Sequence, residues 1–473
     1  MKKRLYRHVV FAVAAGLALT GCVSSSDVRQ EISSARTQAF REWEEQRKTS
    51  DGDAPLVSGQ LSLEDALKLS LAHNKALLAA TEARGIARGQ LLSSYSGLLP
   101  AISLLGSYTR HDDDAYDQNA MGSLDEYSSG IRITQPVFRG GAARAELRRA
   151  QLQACSNDEY IRQITEETLL SVASNYYHAL LARQLLTVAE DAVASAEAYL
   201  NEVTCKRDSG LATEYSVLRA RVDVALYQAQ MIQQRSRLNV LTTQLLTEMG
   251  VQQDSCVELS GTLVYRPMKP VFEQAMELAY QNRPDLGRVQ ANVRMSEEAI
   301  RLAAGRYWPQ VNAFATGGWA RPDPYESSRD AWGSQAAAGV CVEWPLFDGL
   351  LREGRMVESK AALRQSQFEL LDAQERAALQ IRQAILKLRD TEEFVESQRM
   401  NLQLAREGLR LAEIGYRNGV NTEVDITDAR SALTRAMGLH YQAICDHAVA
   451  RLMLQSACGM LSEGDEFKGV TDE

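Results

Sequence analysis

The sequence predicts a mainly α-helical protein with a β-barrel part, built from one unit written twice. Three observations predict it. Gln135-Pro136-Val137-Phe138-Arg139-Gly140-Gly141 returns as Trp344-Pro345-Leu346-Phe347-Asp348-Gly349, 209 residues later. A short segment of apolar and polar alternation precedes each copy, and a long proline-free run follows it. Only ten of the 473 residues are proline and 7% are aromatic, while Ala, Leu, Gln, Glu and Arg abound, as in chains of long helices. A net charge of −9, with no basic stripe among aromatics, argues against a nucleic-acid partner.

The first residues read as a secretory signal over 1–21. Lys2, Lys3, Arg4 and Arg7 precede an apolar run from Val9 to Leu19, too short for the roughly 20 helical residues of a membrane span. Leu19-Thr20-Gly21-Cys22 then resembles a bacterial lipobox, in which Cys22 becomes the lipidated first residue, followed by a linker over 22–60; an ordinary signal peptide with an incidental cysteine is the alternative. Six cysteines remain. Cys155 and Cys205 fall on one long helix about 75 Å apart, and Cys445 and Cys458 on another about 20 Å apart, beyond the ~5.5 Å Cα spacing of a disulfide. Free or buried thiols are expected.

The 209-residue offset recurs along the chain. It relates Pro100 to Pro309, Leu63-Glu64-Asp65-Ala66 to Phe272-Glu273-Gln274-Ala275, and Gly250 to Gly459. It also relates Ser209-Gly210-Leu211-Ala212-Thr213-Glu214 to Asn418-Gly419-Val420-Asn421-Thr422-Glu423. The chain is an internal duplication over 61–252 and 270–461, with a connecting segment over 253–269 and a tail over 462–473.

Each unit opens with an amphipathic helix (63–97 and 272–306) ended by Pro100 or Pro309. A strand follows, with Ile102, Leu104 and Tyr108 against Ser103, Ser107 and Thr109, or Val311, Ala313, Ala315 and Trp319 against Asn312, Thr316 and Gly318. After a polar loop a second strand returns: Ile131 and Ile133 against Arg132 and Thr134, or Val340 and Val342 against Cys341 and Glu343. A helix of about 65 residues then reaches roughly 100 Å. Gly210 or Gly419 turns it into a second helix. After Gly210 that helix carries the seam Leu211, Tyr215, Leu218, Val222, Ala225, Ala229, Ile232, with coiled-coil spacing.

Four strands cannot close a barrel, and open edges cannot sit in lipid. Strands of about ten residues with one apolar face match outer-membrane strands, so closure demands several chains, and three would give twelve strands. At this point the chain resembles the TolC family of outer-membrane efflux ducts, in its lipid-anchored branch that includes OprM and CusC. The resemblance rests on the duplication, the two Pro-Phe-Gly junctions, the glycine turns and Val424-Asp425-Ile426-Thr427-Asp428-Ala429-Arg430. It implies a homotrimer with a twelve-stranded barrel and a twelve-helix periplasmic tunnel. It further implies docking to a periplasmic adaptor and an inner-membrane pump, a lipid on Cys22 at the outer membrane, and no cofactor otherwise. Pro136, Phe138, Gly140, Pro345, Phe347 and Gly349 would mark where strands leave the membrane. The turns Ser209-Gly210-Leu211 and Asn418-Gly419-Val420 would meet the adaptor, and a glycine helix stop explains them equally.

The resemblance also places a periplasmic gate at Val424, Asp425 and Asp428, in which the two aspartates would each form an acidic ring. Asp425 fits a gate and a helix cap alike, since Thr422-x-x-Asp425 reads as a capping box. Asp428 lies past the first turn and reads as gate. Tyr416 matches a tyrosine that holds such tips shut, whereas Asn421 stands where the family has an arginine, which leaves the closing network open. No phosphate loop, HExxH or GxSxG points to an enzyme. His440 and His447 lie about 10 Å apart along a helix, too far to share a metal. The leading expectation is a passive duct of a tripartite efflux system for small molecules or metal ions. A type I protein-secretion duct and a structural coiled-coil spacer are the alternatives.

Overall fold

The computed structural model describes residues 25–49, 55–111, 124–326 and 330–461. Cys22 and the preceding signal lie outside the described residues. In chain order the elements are α1 (Ser25–Thr49), β1 (Gly59–Leu61), α2 (Leu63–His73), α3 (Lys75–Ser94), β2 (Ala101–Arg110) and β3 (Asp125–Phe138). Then come α4 (Ala142–Asp208), α5 (Glu214–Glu248), β4 (Val257–Leu259), α6 (Phe272–Asn282) and α7 (Pro284–Gly305). The second unit ends with β5 (Gln310–Arg321), β6 (Gly333–Glu343), α8 (Leu351–Arg417) and α9 (Glu423–Ala457).

The duplication is exact in register. Ser103 pairs with Arg132 in β2–β3, and the residues 209 later, Asn312 and Cys341, pair in β5–β6. The four strands form one antiparallel sheet in the order β2-β3-β5-β6, so the two units join through β3 and β5. One face carries Ile102, Leu104, Tyr108, Ile131, Ile133, Trp319, Val340 and Val342; the other carries Ser103, Ser107, Arg132, Thr134, Asn312 and Thr316. Leu104 is 81% exposed, an apolar face that the single chain leaves uncovered.

The helices α4 and α8 have 67 residues each, about 100 Å. Helix α4 packs along α5, α8 along α9, and α4 joins the halves by packing on α7 and α9. The opening helix of each unit is not continuous, as the sequence suggested, but breaks at Asn74 and at Arg283. The break has a purpose common to both. Asn74 Nδ2 donates to the Glu248 carbonyl (2.6 Å) and Arg283 Nη1 to the Ala457 carbonyl (3.0 Å), holding the last turn of the returning helix at equivalent places. Asn74 also caps α3 by accepting from Leu77 N, while Pro284 at the start of α7 forces Arg283 out of helical geometry.

Two equivalent cores sit at this level. Ala66, Val172, Ala179, Leu245 and Met249 fill one; Ala275, Ile381, Leu388, Leu454 and Cys458 fill the other. Tyr176 Oη donates to the Leu61 carbonyl (3.0 Å), and Arg183 donates to the carbonyls of Leu259 and Gly261, fastening the two-stranded β1–β4 sheet and the connecting segment to α4.

The predicted seam of α5 exists but does not face α4. Val217 and Ala220 are buried against Tyr199 and Val203, and Val224 is buried one turn on, while Leu211, Tyr215, Leu218, Val222 and Ile232 are exposed. Helix α5 carries two apolar stripes, and the hairpin turn decides which one meets α4. Helix α8 leaves a comparable stripe uncovered: Phe368, Leu371, Leu379, Leu386, Leu404 and Leu411.

Candidate functional site

The two strand-to-helix junctions differ in detail. In the first, Pro136 and Phe138 belong to β3, with a register shift between them. In the second, β6 stops at Glu343, so Pro345 and Phe347 lie beyond the strand, a departure from the expected identity of the two motifs. Two consecutive left-handed residues turn the chain at each: Gly140 (φ 58°) with Gly141 (83°), and Gly349 (70°) with Leu350 (69°). A β-carbon on Gly140 would collide with the Gly305 carbonyl and Trp308 at the end of α7, so glycine there lets one unit seat on the next. At Gly349 the same space is open. Arg352 closes the second junction by pairing with Asp348 (2.9 Å) and donating to the Leu346 carbonyl.

The far end of the long hairpins is built from two equivalent turns. Leu211 N donates to the Lys206 carbonyl and Val420 N to the Gly415 carbonyl, both at 2.8 Å, with Gly210 and Gly419 each at φ 72°. These are glycine helix stops that satisfy the last carbonyls. They leave Leu211 and Val420 about four-fifths exposed at the apex, beside Ser209 and Asn418. Thr213 caps α5 and Thr422 caps α9.

The capping box at Thr422 is complete. Asp425 accepts from Thr422 N and Thr422 Oγ1, both 2.7 Å, and these bonds hold its carboxyl below the usual carboxylate range. Asp425 therefore serves the helix start. One turn further, Asp428 is exposed; Val424 is exposed as well, while Ile426 is buried.

Tyr416 has a partner that the sequence did not suggest. Lys206 of α4 places its ammonium 3.4 Å from Tyr416 Oη and 4.7 Å from the ring centre, and pairs with Glu202 at 2.7 Å. Glu202 pushes the Lys206 ammonium up from its ordinary pKa. Asn421 instead reaches back to the Ala412 carbonyl over Gly415. A second layer lies above. Arg430 of α9 stacks 5.0 Å over Tyr199 of α4 and approaches Glu413 of α8 at 3.9 Å. The Tyr199 phenol is pushed strongly up, first by burial and then by the neighbouring Glu423 and Tyr416. A cavity of about 280 Å³ between the four helices is lined by Tyr199, Asp223, Tyr227, Glu413 and Arg430. The tip is thus held by cation–aromatic contacts joining α4 to α8 and α9. Lys206 sits one turn before the glycine of the other hairpin, a signal the sequence carried without marking its partner.

His447 is 1% exposed and His440 is partly buried. Cys445 and Cys458 are buried, their thiols pushed up to about 12 and about 11 by burial; Cys155, Cys205, Cys256 and Cys341 are exposed and unbridged.

A profile of the family described as "Outer membrane efflux protein" matches residues 66–251 and 275–460. Alkaline protease secretion protein AprF of Pseudomonas aeruginosa is 23% identical over 416 residues, covering 86% of both chains. Outer membrane protein TolC of Escherichia coli is 24% identical over 435 residues, covering 86% of this chain and 85% of its own. The solved outer membrane protein VceC of Vibrio cholerae superposes with a TM-score of 0.73 at 16% identity, over 84% of this chain and 96% of that one, a likeness of fold. With the profile covering both repeats, the chain belongs to the outer membrane efflux protein family.

Proposed function

We propose that three copies of the chain close into one continuous duct that passively carries small molecules or metal ions out of the cell from an adaptor and an inner-membrane pump. The observation that carries this reading is the equivalence of the two units. Within the chain, β3 pairs with β5 and Gly140 seats on Gly305. Shifted by the repeat, the same contacts would join β6 to β2 of a neighbour and seat Gly349 at the neighbour's Ser96. The open space at Gly349, the free edges of β2 and β6, and the uncovered stripes on α5 and α8 all lie along that seam. Six units in a ring are three chains, a closed heterologous assembly. The apolar sheet face then meets lipid, with Tyr108, Tyr127 and Trp319 as an aromatic girdle at one end.

In this reading Cys22 carries the lipid that holds the chain to the outer membrane. The apolar apices Leu211 and Val420 face the adaptor. Three copies of Asp428 line the closed tip, where like charges favour cations and narrow the path. The Lys206–Tyr416 and Arg430–Tyr199 contacts keep the α8–α9 hairpin against α4, and adaptor docking releases them. Reconstitution in planar bilayers tests this. A low resting conductance is expected, rising when Tyr416→Ala and Arg430→Ala are combined; bilayers that stay silent with both changes would sink the duct. The similarity to AprF, named for protease secretion, favours a second reading in which the cargo is an unfolded polypeptide. Export of a secreted protease that ceases on deletion of the gene would establish it.

A further inference from the structure

The face of the sheet opposite the apolar one is nearly uncharged. Its rows, read across the strands, are Ala101, Thr134, Phe314 and Gly339; Ser103, Arg132, Thr316 and Ala337; then Leu105, Gly130, Gly318 and Gln335. Carboxylates appear only near its two ends, at Glu126 and Glu343. Arg132 stands six residues along the strands from each, about 20 Å at the usual rise. Its flanking positions, Ser103, Thr316, Gly130 and Gly318, are small, and no carboxylate pairs with it among the described residues. An unpaired arginine at mid-height is conspicuous in a chain of net charge −9.

This step rests on the trimeric closure proposed above. Twelve strands about 4.8 Å apart and tilted about 40° close at a radius of about 12 Å. An arginine side chain covers roughly half of that, which leaves three guanidiniums about 10 Å apart around the axis, comparable to the ~8 Å Debye length at physiological salt. The three fields therefore overlap in a lumen whose other mid-height groups are neutral. Guanidinium forks bind phosphate and carboxylate oxygens in pairs.

We infer that Arg132 forms a cationic ring halfway along the barrel, a lumen site for compact polyanions such as oligophosphates or polycarboxylates. The duct then carries opposite selectivities in series: acidic at the tip and basic in the barrel. A polyanion held at the ring obstructs current, and cargo with clustered negative charge pauses there rather than at the tip.

The test is current through the full-length protein in a planar bilayer, with tripolyphosphate added on the barrel side. The wild type is expected to block at sub-millimolar concentration, more weakly as salt rises. Arg132→Gln should raise the half-blocking concentration at least tenfold and shift the reversal potential in a KCl gradient toward cations, whereas Arg132→Lys should retain most of the block. Ser103→Glu, which sets a carboxylate opposite the unchanged arginine, should abolish block as well and covers a folding defect in the first variant. Equal block of wild type and Arg132→Gln would overturn the ring while leaving the conducting duct intact. Complete absence of channels would overturn both.

Discussion

Asp425 and Asp428 lie three residues apart on one helix, yet their carboxylates do different work. Asp425 is spent on the backbone and hydroxyl of Thr422, while Asp428 is exposed without such a bond. Asp428→Ala is therefore expected to raise conductance and weaken block by a trivalent cation several-fold, measured in planar bilayers. Asp425→Ala should leave block unchanged and fray the start of α9, seen as faster amide exchange there. Equal effects of the two would return both to the gate. Gly140 is a second residue with a definite demand. Its positive φ and the neighbouring Gly305 carbonyl leave no room for a methyl group. Gly140→Ala should cost roughly 2–4 kcal/mol from strain and overpacking together, read as a lowered midpoint of thermal unfolding, whereas Gly349→Ala should cost less in any separated monomer, where its surroundings are open. The sequence announced both glycines through the repeated motif. It could not announce that they serve different contacts, because the collision at Gly140 comes from a residue 165 positions away.

At the scale of elements, the period-two strands and the turns at Gly210 and Gly419 were legible, because alternation and a helix-stopping glycine are local signals. The break at Arg283 had a local signal in Pro284, which the amphipathic pattern overran; the break at Asn74 had none so strong, since that residue is tied to a carbonyl at the end of a distant helix. Asn74→Ala removes a cap and that tie, and should lower stability by about 2 kcal/mol in denaturant unfolding. The α5 seam was legible as a stripe but not as to its partner, because periodicity names a face and not what covers it. Lys206 was missed for a related reason: it meets Tyr416 only after both hairpins fold. His447 gives α9 a pH dependence. Burial pushes its pKa down, opposed by Glu392 at 3.7 Å and reinforced by Arg451. With the folded value below the unfolded ~6.5, the unfolded chain binds the proton more readily. Its contribution is complete above about pH 6.5 and is lost as pH falls through the folded value. His447→Leu, which copies Leu238 at the equivalent place in the first unit, should flatten the unfolding midpoint between pH 7 and 5.

At the scale of the whole molecule, the sheet ends at β2 on one side and at β6 on the other, and α5 and α8 each keep an uncovered apolar stripe among the described residues. An exposed apolar sheet with two free edges is a liability for a monomer and a requirement for a ring. The repeat supplies the register of the missing contact. Arg132 pairs with Thr316 inside the chain, so Cys341 of one copy should pair with Ser107 of the next. Cross-strand neighbours have Cα atoms about 4.5–5.5 Å apart, within the reach of a disulfide. The native Cys341 thiol is exposed and Cys445 and Cys458 are buried, while Cys155, Cys205 and Cys256 are exposed as well, so replacing those three by Ser directs oxidation to the new pair. The most direct test is therefore non-reducing electrophoresis of membranes carrying Ser107→Cys after mild oxidation. The account predicts covalent dimers and trimers that vanish on reduction and on adding Cys341→Ser. Monomers alone, with the protein folded and in the outer membrane, would contradict the closed ring.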